Sequence, residues 1–206
     1  KQLLRAYDSN PAAALIRGTG GADRIRGTLF DDEIVGRGGH DRIDGRGGAD
    51  RLDGENGADR LLGGSGADRL KGGSGTDRLL GGNGRDRLQG ESGDDLLDGG
   101  KGADVLVGGK GADIFRFTES ALGSLDRIVD FERGIDIVDI SRLATELPRR
   151  ADGFDFIGSR AFSETAGEVR FGDGRLRIDF DGNGNADLRI AVDDVARLGA
   201  DDLILG

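Results

Sequence analysis

The 206 residues include 40 glycines, 2 prolines, no cysteine, no methionine and no tryptophan, and 39 acidic side chains outweigh 29 basic ones for a net charge of -10. Glycine far above the roughly 7% of average usage excludes a core of long helices, and the missing cysteines exclude disulfides, zinc–thiolate sites and a thiol nucleophile. No run of about 18 apolar residues occurs, so neither a membrane span nor an amino-terminal secretory signal is expected; the acidic balance disfavours nucleic acid and suits a chain that attracts cations.

The first 17 residues read as an amino-terminal linker or half-coil cap. Ile16 lies nine residues before Ile25, so Leu15, Ile16 and Arg17 predict an extra half-coil, with Ala14 where an aspartate would stand. Lys1 in place of methionine predicts that the parent protein extends upstream.

From residue 18 the sequence keeps a strict period of nine. Aspartate recurs at Asp23, Asp32, Asp41, Asp50, Asp59, Asp68, Asp77, Asp86, Asp95, Asp104 and Asp113. Two residues after each stands one large apolar side chain, from Ile25 through Leu61 to Phe115, and five residues before each stands glycine. Glycine also stands two before each aspartate, except at Phe30. Eleven units fill residues 18–116, with GGSGADRLK and GGNGRDRLQ as the fullest copies.

One unit predicts a six-residue turn followed by a three-residue strand whose central side chain points inward. The glycines suit positive φ and a close approach of carbonyls to a shared object. A single leucine cannot be buried by one unit alone. Stacking two units per coil in parallel makes a continuous apolar column, and at about 4.8 Å per coil the eleven units span roughly 26 Å. Residues 18 apart then line up, so the aspartates form two files of like charge, five gaps in one and four in the other. Neighbouring carboxylates about 5 Å apart repel by roughly 1 kcal/mol in water and by several times more where solvent is excluded. A cation is required between them, and carboxylates with carbonyls are the hard oxygen donors of calcium. Nine ions is the ceiling. The gap between Asp32 and Asp50 is the weakest, because the 27–32 loop carries Phe30 for its second glycine, so eight or fewer ions are expected.

These residues resemble the RTX (repeats-in-toxin) family across 18–116. The resemblance implies a parallel β-roll in which each calcium bridges two loops through an aspartate from each and through backbone carbonyls. Carried over, the ligands are the aspartates named above, with carbonyls from Gly63, Gly64, Gly66, Gly72, Gly73, Gly75, Gly81, Gly82 and Gly84. Loops with Thr19, Thr28, Arg37, Arg46, Glu55 or Glu91 at the second position depart from the pattern and are expected to bind more weakly.

After Arg116 the period stops and a carboxy-terminal β-rich cap is predicted over 117–206. Residues 126–131 and 135–140 read as short strands. Val169 to Phe171 and Leu176 to Phe180, separated by Gly172, Asp173 and Gly174, read as a hairpin, with Leu188, Ile190 and Val192 in the next strand. GADIFRF, DRIVDFERGIDIVDIS and DFDGNGNADLRI are similar to the carboxy-terminal region of serralysin-type secreted metalloproteases. Asp202, Leu203, Ile204 and Leu205 are similar to the end of their type I secretion signal, and Gly206 departs from it. Asp179, Asp181 and Asn183 have the spacing that opens an EF-hand loop, but position 12 is Ile190, so a plain turn competes with a lone calcium.

Outward-facing arginines follow the ligand aspartates. Arg42, Arg60 and Arg78 either contact a polyanion or only offset the carboxylates and keep an exposed sheet soluble. His40, the single histidine, reads as a loop spacer, and one histidine allows no H-E-x-x-H site. The reading is an all-β parallel β-roll: a calcium-binding, secreted module, not itself an enzyme, whose folding supports passage through a type I secretion exporter. Two alternatives stand beside it: a surface- or polysaccharide-binding module like those of adhesins and alginate epimerases, and the accessory domain of a secreted hydrolase.

Overall fold

In the computed structural model, which describes residues 3–5, 15–118, 123–146, 154–163 and 165–205, the chain climbs through stacked coils with one strand on each side. The roll is built from β1 (Leu3–Arg5), β2 (Leu15–Arg17), β3 (Arg24–Arg26), β4 (Glu33–Val35), β5 (Arg42–Gly47), β6 (Arg51–Asn56), β7 (Arg60–Ser65), β8 (Arg69–Ser74), β9 (Arg78–Asn83), β10 (Arg87–Ser92), β11 (Leu96–Lys101), β12 (Val105–Lys110) and β13 (Ile114–Arg116). Odd-numbered strands pair in parallel in one sheet and even-numbered strands in the other. β1, inside the segment read as linker, pairs with β3 and adds a strand that the nonapeptide pattern does not announce.

Register follows the nine-residue period. Ile25, Ile43, Leu61, Leu79, Leu97 and Phe115 stack in one file, and Ile16, Ile34, Leu52, Leu70, Leu88 and Leu106 in the other. All are buried in one cluster. The expected strands of three residues are corrected: β5 to β12 each run for six. The ladder continues through the turns, where Gly48, Gly57, Gly66 and Gly75 N–H groups donate to carbonyls of Ser65, Ser74, Asn83 and Ser92 one coil on. In-register loops thereby satisfy backbone groups that a free turn would leave to solvent.

The cap grows from the same two sheets. It comprises β14 (Leu125–Ile128), β15 (Ile137–Asp139), α1 (Ser141–Glu146), β16 (Asp155–Phe156), β17 (Glu168–Gly172), β18 (Arg175–Asp179), β19 (Leu188–Val192), a single 3-10 turn at Ala200–Asp202 and β20 (Leu203–Ile204). β14 joins β12 with Ile128 opposite Leu106, and β15 joins β13 with Val138 opposite Phe115, so the apolar files run on past the last strict repeat. β20 closes the odd sheet beside β15, and β16 to β19 extend the even one beyond β14. The β17–β18 hairpin is tighter than expected, since Gly172 pairs with Arg175 and leaves Asp173 and Gly174 as a two-residue turn, both at positive φ. That is the Asp-Gly turn whose twist matches antiparallel strands. The helix α1 was not anticipated. It is short and anchored by Leu143, buried in the core, and by Asp139, whose carboxylate accepts bonds from the Ser141 N–H and hydroxyl.

Candidate metal centre

Each repeat aspartate is buried at the corner between turn and strand. Its two carboxylate oxygens have different surroundings. Oδ1 of Asp68 accepts the backbone N–H of Asp50 at 2.8 Å, and the Asp68 N–H in turn donates to Oδ1 of Asp86 at 2.8 Å. The same bond, 18 residues apart, runs from Asp23 to Asp41, Asp59, Asp77, Asp95 and Asp113, and from Asp32 to Asp50 and on to Asp104. From Asp41 to Asp113, half of each carboxylate is thus used to tie coil to coil.

The other half has no partner. Oδ2 of Asp41, Asp50, Asp59, Asp68, Asp77, Asp86, Asp95, Asp104 and Asp113 is buried without a hydrogen bond. Buried carboxylate oxygens are rarely left so, because the lost hydration costs about 1–3 kcal/mol for a neutral group and more for a charged one. The first glycine of each unit makes the space. A methyl group on Gly63 would collide with Asp68 Oδ2 and with the Gly81 carbonyl oxygen of the next coil. Gly45, Gly54, Gly72 and Gly81 repeat this arrangement with Asp50, Asp59, Asp77 and Asp86. An anionic oxygen and a carbonyl oxygen therefore converge on one point, and in a chain without cysteine or methionine this oxygen pair fits calcium.

Of the other glycines read as carbonyl donors, Gly64, Gly66, Gly73, Gly75, Gly82 and Gly84 all have φ between 114° and 141°. At Gly66 a side chain would strike the Gly48 carbonyl of the preceding coil, so the requirement is both conformational and steric.

Electrostatics point the same way. Burial first, and the neighbouring rungs of the file after it, push Asp50, Asp59, Asp86 and Asp95 up to about 7. Burial lifts Asp77 and Asp113 to about 6, and raises Asp41, Asp68 and Asp104 as well. A divalent cation reverses that preference by stabilising the ionised form.

Two predicted ligands stand apart. Asp23 Oδ2 accepts the Thr19 N–H at 2.6 Å and the Thr19 hydroxyl at 2.9 Å. Asp32 Oδ2 accepts the Thr28 N–H at 2.6 Å and hydroxyl at 3.1 Å. The 27–32 loop was expected to bind weakly because of Phe30; in the structure Phe30 is exposed, and it is Thr28 whose N–H and hydroxyl donate to the Asp32 carboxylate.

Two further rungs were missed. The Asp104 N–H donates to Asp126 Oδ1 at 2.9 Å and the Asp113 N–H to Asp136 Oδ1 at 3.0 Å, which lengthens both files by one. Asp126 and Asp136 are buried, and burial raises both, Asp126 to about 7. Their offsets of 22 and 23 break the period, but Asp126-Arg127-Ile128 and Asp136-Ile137-Val138 keep the aspartate–spacer–apolar triplet. Asp130 completes the junction by accepting the Gly108 and Gly109 N–H groups.

In the cap, Asp179 and Asp181 meet Asp187, with oxygens of all three within 4.8 Å of one another. Asp187 is the ninth residue of the loop begun by Asp179, a position that attention to the twelfth, Ile190, passed over. Asn183 lies outside the trio; it donates to Asp181 and accepts from the Asn185 N–H.

The arginines form rows. Arg24, Arg42, Arg60 and Arg78 face solvent in register on the odd sheet, and Arg51, Arg69 and Arg87 on the even one. In the cap Arg170, Arg177 and Arg189 stand opposite one another across β17, β18 and β19. His40 is exposed and accepts the Ala58 N–H at Nδ1, a loop-to-loop spacer as expected. Among the described residues no helix is long and apolar enough to cross a membrane.

The family model of the RTX calcium-binding nonapeptide repeat (4 copies) matches residues 17–52, 53–88 and 80–115. No curated protein matches the chain. Among solved structures, the R3 subunit of the Azotobacter vinelandii mannuronan C5-epimerase AlgE6 is 31% identical, over 68% of this chain and 78% of that one, with a TM-score of 0.51. Stacked glycine turns, two apolar files and rows of half-bonded aspartates are thus accounted for together: the chain belongs to the RTX calcium-binding nonapeptide-repeat proteins.

Proposed function

We propose that this calcium-binding roll is a folding switch for a secreted protein, held open inside the cell and closed by calcium outside it. The carrying observation is the set of nine buried carboxylate oxygens without a partner. Asp41, Asp50, Asp59, Asp68, Asp77, Asp86, Asp95, Asp104 and Asp113 would hold the ions through Oδ2, with loop carbonyls such as that of Gly81 completing each cage. When bound, calcium supplies positive charge between rungs that otherwise repel. Where free calcium is scarce the files oppose folding, and an extended chain can thread a type I exporter; sites of roughly 10⁻⁴ to 10⁻³ M affinity, usual for extracellular modules, respond outside.

The position of the tail supports this order of events. Leu203 is buried in β20 against β15, and Asp202 accepts the Gly134 and Gly199 N–H groups. Asp202 and Leu203 of a signal at this end are covered once the roll closes, although Ile204 stays exposed, so an exporter that needs those two must read them beforehand. The expected result is that the chain fused behind a reporter leaves cells that carry a type I exporter, and that cytosolic calcium raised to folding levels traps it inside. Equal export under both conditions would refute the switch.

A second reading, binding of an acidic polysaccharide, is favoured by the arginine rows. Like charges directly opposite in a sheet are unfavourable, yet Arg170, Arg177 and Arg189 adopt that arrangement, and Arg177 and Arg189 line a groove of ≈ 440 Å³ together with Ser124, Leu125, Arg175 and the single carboxylate of Asp187. Burial and these neighbouring cations lower the Arg177 pKa. A polyuronate would relieve the repulsion. Retention on an alginate column at 50 mM salt should be lost in Arg60→Ser/Arg78→Ser if the odd sheet binds, and in Arg177→Ser/Arg189→Ser if the cap binds. Unchanged retention in both would exclude the arginines. Under either reading a catalytic unit, where there is one, belongs to another part of the parent protein.

A further inference from the structure

The nine aspartates with an unpartnered Oδ2 share one backbone feature. The residue four positions before each of them is Arg37, Arg46, Glu55, Gly64, Gly73, Gly82, Glu91, Gly100 or Gly109, and every one has φ between 67° and 114°. Four of these are not glycine, so the left-handed backbone is imposed by the loop and not merely permitted by the side chain. In this conformation the N–H at that position is turned away from the carboxylate; the Glu55 N–H, for instance, goes to Asp53.

Three other aspartates of the files show the opposite arrangement. Thr19, Thr28 and Glu132 lie four before Asp23, Asp32 and Asp136, none has positive φ, and each donates its N–H to Oδ2 at 2.6 to 2.7 Å. In the two threonine loops the hydroxyl adds a second bond. The remainder of the cradle is nonetheless present. A methyl group on Gly27 would meet Asp32 Oδ2 and the Gly45 carbonyl, and one on Gly18 the Gly36 carbonyl and Asp23 Oδ2, the same pairing as in the loops with unpartnered oxygens.

Resting on calcium as the ligand of the roll, we infer that the residue four before each aspartate decides whether its loop takes an ion, and that Thr19 and Thr28 are built-in substitutes for calcium which close the amino-terminal end of both files. A loop has two ways to satisfy Oδ2. With the deciding residue left-handed, only a cation can do so; with it in the ordinary region, its own N–H does, and the cage is shut. Threonine favours the second state twice over, because a β-branched residue resists positive φ and its hydroxyl is a further donor. Ion-free ends suit files whose first members have no aspartate 18 residues earlier, where Arg5 and Ala14 stand before Asp23 and Asp32. Glu132 does the same for the odd file at its carboxy-terminal end.

The test is the number of ions bound by the intact purified chain, measured by equilibrium dialysis with metal analysis and by calorimetry. The wild type should take nine. Thr28→Gly and Thr19→Gly should each take ten, and the double variant eleven, above the ceiling of nine read from the repeats alone because Asp126 and Asp136 add a gap to each file, and because glycine readily adopts the left-handed state with the remaining donors in place. Thr28→Ala should stay at nine, since its N–H remains. Glu55→Thr should fall to eight by shutting the 54–59 loop, and it guards against failure of the glycine variants to fold. Glycine variants that fold and bind no additional ion, an additional ion in Thr28→Ala, or nine in Glu55→Thr would each overturn the inference. A wild type that binds no calcium would instead overturn the reading of the roll itself.

Discussion

Calcium chelation at pH 7.5 is expected to abolish the β-sheet circular-dichroism signal of the chain, and titrating calcium back should restore it with a slope steeper than one ion at a time. The magnitude follows from the carboxylates. Asp50, Asp59, Asp86 and Asp95 at about 7, with Asp77 and Asp113 at about 6, lie well above the ordinary carboxylate value of 3.8. Ionising these buried, mutually repelling carboxylates inside the metal-free stack therefore opposes folding. A typical domain is stable by only roughly 5–15 kcal/mol. The core offers little in reserve, because each nine-residue unit buries one large apolar side chain. Steepness comes from the architecture: each aspartate is bonded to the coils before and after it, so an ion that fixes one loop presents the next aspartate in place. A spectrum unchanged by chelator would show that the carboxylates are neutralised some other way, and the switch would fall with it.

The roll was legible in the sequence because a single repeated constraint specifies everything in it. Once Leu52, Leu70 and Leu88 must share a file, register, sheet pairing and the alignment of Asp50, Asp68 and Asp86 follow without further information. What escaped lies where that constraint relaxes. Asp126 and Asp136 occupy the same structural position as the repeat aspartates, but longer connections precede them, so an argument from spacing alone stops at Asp113. The threonines were read as a weaker version of glycine at the second loop position. Their effect depends on which way one N–H points, and residue spacing carries no record of that direction. Strand length was underestimated for a related reason: the hydrogen bonds that extend β5 to β12 join turn to turn, between coils, and no property of one unit reveals them. In the cap, Asp187 was overlooked because an EF-hand template directed attention to Ile190, whereas proximity to Asp179 and Asp181 arises from the return of the chain into β19.

Protons should partly replace calcium, with a sign that the same carboxylates fix. Their pKa values are raised in the folded, metal-free state, so that state binds more protons than the unfolded chain between pH 4 and pH 7. Their contribution to stability is complete below the unfolded value near 4 and is lost as pH rises through 6 to 7. In chelator, lowering the pH from 7.5 to 5 should therefore recover sheet signal. In calcium the same change should shift the midpoint to higher concentration, because each ion must displace protons, and calorimetry at pH 6 in buffers of different ionisation enthalpy should register their release. Asp86→Asn separates the two contributions. Its amide oxygen can still accept the Asp68 N–H, as Oδ1 does now, while the neutral NH₂ group replaces the charged Oδ2 on the side of the Gly99 carbonyl. That variant should fold more readily than wild type in chelator at pH 7.5 and bind calcium less well, so that the two stability curves cross as calcium is added. Curves that never cross would mean that the ionised file is not what opposes folding, and the buried carboxylates would need a different account.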